Sequence, residues 1–272
     1  MGKGAHRYLE GGGTTMKKQR VVMIGSGNVA TNFALALKDK YQLVQIYSRT
    51  IDNARELAEK VGCEAIDDLK MVVGDAHVYI IAVNDDAIAR IIDNTPCNNA
   101  LWMHTSGSTP IEIFEGKRNH YGVCWPVQSL SKSNIVKLDD AHLFIEGNSE
   151  KNTQELEKFA SAMSQHVHKA SSHDRLLLHI ASVFACNFAN HMFTLSNEVL
   201  DEAGLPFDVM LPLIKTTIEK LDHLTPQESQ TGPAARGDIK IIEKHLSSLK
   251  GDKREIYKLL SHSLMQRREK NN

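Results

Sequence analysis

The chain has 272 residues, 42% hydrophobic and 24% charged, with a formal net charge of −1. That length suits one large domain or two ordinary ones, and the composition is that of a globular protein. The near-zero charge gives no argument for nucleic acid or an acidic membrane surface, and without an unbroken apolar run of 18 residues no membrane span is expected.

Residues 1–15 contain Gly11, Gly12 and Gly13 but no apolar periodicity, and read as a disordered leader rather than a secretory signal. The fold is expected to begin at Met16. Short apolar runs then alternate with helical patterns. The predicted strands are 20–24, 43–47, 78–83, 101–104, 122–125, 142–146 and 166–170, and the predicted helices are 30–38, 54–61 and 149–165. This order implies an α/β unit with a mostly parallel, doubly wound sheet over 16–170.

The first strand breaks into Gly25-Ser26-Gly27-Asn28-Val29-Ala30. In a strand–turn–helix setting this pattern cradles a pyrophosphate. Gly25 permits the bend, Gly27 lets phosphate approach the backbone, and Ala30 lets helix and strand pack closely. The amides opening the helix point at the phosphates. About twenty residues on, Tyr47-Ser48-Arg49-Thr50 stands where an acidic residue would read the ribose of NAD. A Ser-Arg-Thr cluster suits the 2′-phosphate of NADP instead. Ligands in such folds bind beyond the carboxyl ends of the strands. Val83 and Asn84 after one strand, and His104, Thr105 and Ser106 after the next, are therefore further cofactor candidates.

Beyond Ser171 the pattern becomes helical. Ser171 and Asp174 have the spacing of a capping box, and a long helix is predicted to run to Ala203, before Gly204-Leu-Pro206. Further helices are predicted over 207–221, 237–249 and 253–268, giving an all-helical domain over 171–272. The long helix is apolar almost all round, which predicts burial. His179, Ser182, Cys186 and Asn190 recur along one stripe, with Asn187 at its edge. They either hydrogen-bond within a dimer core or line a substrate cleft. His179 is the best general acid by its ordinary pKa, and Ser182 and Asn187 would orient a carbonyl or imine. In Thr231-Gly-Pro-Ala-Ala-Arg236-Gly-Asp238, Arg236 could clamp an anionic group, with Asp238 capping the next helix and holding the arginine; a purely structural loop is the alternative. Trp125-Pro-Val-Gln128 either closes the cleft or packs the last crossover. His166 and His168 share a strand face, and no metal site is expected there. The cysteines Cys63, Cys97, Cys124 and Cys186 are scattered, without Cys-x-x-Cys, which fits free thiols in the cytoplasm.

Four stretches together, Gly25–Ala30, His104–Ser108, Trp125–Ser129 and Thr231–Asp238, resemble a bacterial family of Rossmann-like proteins with a C-terminal helical domain of unknown function. Members carry labels such as NADP oxidoreductase, some by analogy with deazaflavin-dependent enzymes. The architecture is also similar to pyrroline-5-carboxylate reductases, ketopantoate reductases and β-hydroxyacid dehydrogenases. That resemblance implies NADP in the first domain and a homodimer formed through the helical one. The chain departs from the β-hydroxyacid dehydrogenases, which place a catalytic lysine on the long helix. Between Asp174 and Lys215 this sequence has none. The expectation is an NADP-dependent reductase passing a hydride to a small carbonyl or imine between the domains. The alternative is a non-catalytic dinucleotide-binding sensor or assembly module.

Overall fold

The computed structural model describes residues 18–271, so the predicted leader lies outside the described residues. The described chain divides into two compact units that meet between Cys186 and Asn187.

The first unit is built on eight strands, β1 (Arg20–Ile24), β2 (Gln42–Tyr47), β3 (Glu64–Ile66), β4 (Val78–Ile81), β5 (Leu101–His104), β6 (Tyr121–Val127), β7 (His142–Gly147) and β8 (His166–Lys169). Their order across the sheet is β3-β2-β1-β4-β5-β6-β7-β8. All neighbours are parallel except β6 and β7, which pair antiparallel. Helices α1 (Asn28–Leu37), α2 (Ile51–Val61), α3 (Asp85–Asn94) and α4 (Glu150–Ser161) form the crossovers. Side chains alternate between the two faces of each strand. Val21 and Met23 join one buried cluster with Phe33 and Leu37 of α1, while Val22 and Ile24 join another with Ile88 and Ile92 of α3. A strand covered on both faces reads as continuously apolar, which is why β1 and β4 were legible. β3, with three residues, and α3, whose sequence opens on charged residues, were not predicted.

Order reverses between β1 and β4, since β2 lies to one side of β1 and β4 to the other. This switch point is where doubly wound sheets leave a crevice for a ligand.

Helix α5 (Ser172–Ser182) starts with the expected capping box. Ser171 Oγ accepts from the Asp174 amide at 3.2 Å, and the Asp174 carboxylate accepts from the Ser171 amide at 3.2 Å. A π-helical segment (Val183–Phe188) separates it from α6 (Ala189–Glu202). The π segment advances the chain by more residues per turn than an α-helix, so the single stripe expected through His179, Ser182, Cys186 and Asn190 does not hold past Ser182. Nor is the long helix buried. Arg175 and Leu200 are its buried residues, while Leu177, Ile180 and Val199 are exposed. The Ser172–Glu202 stretch is also long and apolar enough to cross a membrane, with an 18-residue window of mean hydropathy 1.3. The sequence reading missed this because scattered His, Ser and Asn break the apolar run without lowering its mean much.

The expected domain boundary at 170/171 therefore differs from the contact boundary at 186/187. Arg175 is buried against the sheet, which assigns α5 to the first unit. Beyond α6, the second unit contains α7 (Leu211–Glu219), the short α8 (Pro233–Arg236), α9 (Ile239–Ser248) and α10 (Gly251–Asn271). Lys253 of α10 is paired with Glu198 and Glu202 of α6 at 3.1 and 3.4 Å.

Candidate functional site

The carboxyl ends of β1, β2, β4 and β5 open on a cleft of about 820 Å³ whose lining belongs entirely to the first unit. Gly25 sits at its floor with φ +129°. The Gly25 amide donates to the Tyr47 carbonyl at 2.8 Å, and a Cβ there would fall 2.0 Å from the Ala82 carbonyl oxygen. Only glycine tolerates both constraints. Gly27 is the N-cap of α1, and a Cβ on it would meet nothing within 4 Å. No side chain caps α1 and no acidic residue stands in its first turn. Its leading amides and the positive end of its dipole therefore reach the cleft unopposed. Ser26, Asn28 and Val29 line the same wall. Behind them, Asn32 Nδ2 donates to the carbonyls of Asn28 and Ser131 at 2.8 and 3.1 Å, and Asn28 Oδ1 accepts from the Lys132 amide at 3.1 Å. These bonds tie the β6–β7 connection to the start of α1.

Ser48 and Arg49 line the far end of the cleft. Thr50 is instead the N-cap residue of α2, its amide 3.4 Å from Ser48 Oγ. Among the described residues Arg49 has no ion-pair partner, so its guanidinium is available to a ligand. On the opposite wall, Val83, Asn84, Asp85, Asp86 and Arg90 come from the end of β4 and from α3.

Thr105 and Ser106 also line the cleft, but His104 does not. The His104 ring is fully buried and stacks on Phe114 at 5.7 Å. Its Nδ1 accepts from the Ser106 amide at 3.1 Å. Burial, helped by the nearby Arg175 guanidinium, pushes its pKa down to about 3. His104 is thus a neutral acceptor that holds the loop after β5 from beneath. Ser106 Oγ continues that scaffold by accepting from the Ser108 and Thr109 amides at 3.2 and 2.9 Å, and Ser108 Oγ donates to Asp85 at 2.5 Å.

Of the residues read as catalytic, His179 lines this cleft. Its ring stands edge-on to the Trp125 indole, centroids 5.8 Å apart. Trp125 also lines the cleft and lies against Gly107, where a Cβ would come within 2.6 Å of the indole. Ser182 is turned back on its own helix, donating to the Leu178 carbonyl at 2.8 Å. Asn187 and Arg236 lie in the second unit. Arg236 Nε donates to the Asp238 carboxylate at 2.9 Å. Asp238 holds the N-cap position of α9 without a side-chain cap bond, and its carboxylate accepts from the arginine instead.

Sequence reasoning did not pick out Asp85, Arg90 or Arg175. The α3 residues Asp86, Ala87, Arg90 and Ile91 have the spacing of one helix face, which would have marked them once α3 was recognised. Arg175 had a weaker signal, a basic residue at the polar start of an otherwise apolar helix.

This fold and cleft define a Rossmann-type dinucleotide-binding unit followed by a helical unit. The chain is 42% identical to a provisionally assigned NADP oxidoreductase from Bacteroides fragilis, with 92% of this chain and 98% of that one covered and a TM-score of 0.85. It belongs to the family of that protein. The family model for shikimate/quinate 5-dehydrogenase matches residues 6–105, and that for a domain of unknown function, DUF2520, matches 141–264. The fold is shared with a Thermotoga maritima protein at 24% identity, covering 92% of this chain and 99% of the other, TM-score 0.69. It is shared also with an Aspergillus terreus reductive aminase solved with NADPH and ethyl-5-oxohexanoate, at 11% identity, covering 86% and 78%, TM-score 0.62. No curated protein sequence matches the chain.

His104 gives the site a pH signature. Its folded pKa of about 3 lies below the ordinary 6.5, so the unfolded chain binds a proton that the native state refuses. Its contribution is complete above about pH 6.5 and is lost as pH falls towards 3. Between pH 6.5 and 5 this amounts to about 2 kcal/mol. Chemical denaturation across that range should show the decline, and His104→Asn should flatten it.

Proposed function

We propose that the cleft binds NADP(H) and that the protein is a reductase acting on a small carbonyl or imine. The observation that carries this reading is the uncapped N-terminus of α1, with no acidic residue in its first turn, in the same cleft as Arg49. The residues present fit a phosphorylated dinucleotide. Gly27 leaves room for the pyrophosphate at the α1 amides, and Ser48 and Arg49 suit a 2′-phosphate, with Thr50 beside them. When bound, the nicotinamide would supply the hydride. His179 would deliver the proton to the substrate heteroatom, and Trp125 would exclude water beside it. The exposed Arg236, steadied by Asp238, is proposed to anchor an anionic group of the substrate; Ser182 and Asn187 are the proposed substrate-orienting residues.

The helical unit supports a homodimer. Among the described residues its buried apolar side chains are Leu200, Ala234 and Ile242, while Leu211, Leu213, Ile218, Leu221 and Leu259 are exposed. So thin a core does not sustain a helical unit of this size without further burial, and a second copy of the chain would supply it. The four unpaired thiols support a cytoplasmic location.

In paired fluorescence titrations, Arg49→Ala should weaken NADPH about thirtyfold, or about 2 kcal/mol, and leave NADH nearly unchanged. Equal losses would exclude phosphate reading. Gly27→Ala should still fold, melting a few degrees below the wild type because Ala is a poorer N-cap than Gly while its new methyl meets no protein atom, yet lose both coenzymes. Unaltered affinity would remove the pyrophosphate from this turn. Sedimentation velocity should give twice the chain mass, and Leu213→Asp with Ile218→Asp should shift it to one. A wild-type monomer would refute the dimer.

A further inference from the structure

Arg175 is wholly buried. Its Nη1 is ion-paired with Glu146 of β7, and its Nη2 donates to the Thr109 carbonyl at 2.9 Å and to Ser172 Oγ at 3.3 Å. Ser172 Oγ in turn donates to the same Glu146 oxygen at 2.8 Å and accepts from the Ile111 amide at 3.0 Å. The loop after β5, the edge of β7 and the first turn of α5 are thus fastened at one point. A buried ion pair is a poor way to gain stability, since apolar residues of like volume often serve as well. What it fixes is geometry, because a guanidinium offers its donors in a rigid fork.

The consequence of that geometry lies one helical turn away. His179 follows Arg175 by four residues, so both lie on one face of α5. His179 stands edge-on to Trp125, and Trp125 rests against Gly107 in the loop that Arg175 holds at Thr109. Loop, indole, imidazole and guanidinium form a closed circuit along one wall of the cleft. We propose that Arg175 is a positioning residue, whose pairing with Glu146 and Thr109 sets His179 against Trp125 in the cleft. Its bearing on proton delivery rests on the reductase reading above.

The test uses the full-length protein labelled with 5-fluorotryptophan. The chain has two tryptophans, Trp102 and Trp125, and Trp125→Phe assigns their fluorine resonances. At one fixed pH the edge-on imidazole should displace the Trp125 signal in the wild type, and His179→Gln should abolish that shift. That control separates His179 from His168, which stacks on Phe144 next to Trp125. Arg175→Met with Glu146→Leu removes both charges together and is expected to melt close to the wild type, yet to lose most of the shift. Arg175→Lys keeps the charge but cannot span Glu146 and the Thr109 carbonyl in the same way, and should lose it too. A full wild-type shift in either variant that folds would overturn the proposal, as would a wild-type shift that survives His179→Gln. NADPH titrations on the same samples keep the two readings apart. A wild type that ignores NADPH sinks the reductase reading, while the fluorine shift still decides the role of Arg175.

Discussion

Everything around the cleft depends on how closely the chain passes itself at Gly25. Its amide is bonded to Tyr47 at the end of β2, and the place a Cβ would take is filled by the Ala82 carbonyl just past β4. Three strand ends therefore converge on one residue that has no side chain. A methyl group there would push β1 and β4 apart at the point where the sheet reverses its order. α1 would then no longer start where its amides can meet a ligand.

The surroundings of that turn share one electrostatic logic. The helix terminus is left uncapped, and among the described residues the cation at the far end of the cleft, Arg49, has no ion-pair partner. Beneath the loop after β5, His104 is kept neutral by burial and by the Arg175 charge, so it can accept from the Ser106 amide. Arg175 is compensated by Glu146 rather than by solvent. Removing either partner alone would strand a buried charge at a cost of about 3–5 kcal/mol, although the intact pair contributes little net stability. Along this cleft the solvent-facing Arg49 is left to a ligand, and the buried Arg175 is paired.

The two units use the hydrophobic effect unequally. In the first, both faces of the sheet are covered and the clusters are deep. In the second, large apolar side chains on α7 and α10 remain at the surface. The same contrast explains why periodicity served well for the sheet and led to a wrong expectation for the long helix. An apolar pattern specifies that a face will be covered. It does not say whether the cover comes from the same chain.

Much of the architecture was written in local pattern. The β1 run, the Gly25–Ala30 turn, the Ser171–Asp174 capping box and the strand limits of β5 follow from neighbouring residues alone, because backbone conformation and side-chain alternation are short-range properties. The placement of Gly25, Gly27, Ser48 and Arg49 around one cleft was legible for the same reason, since the strand–turn–helix unit carries its own geometry. Other features were decided only when the chain closed on itself. His104 looked like a cleft residue and is a buried prop, and Arg175, which no motif singled out, joins Glu146 to Thr109 from positions 29 and 66 residues distant. Burial and the choice of partner across such separations depend on the route of the whole backbone, so spacing along the sequence holds no record of them.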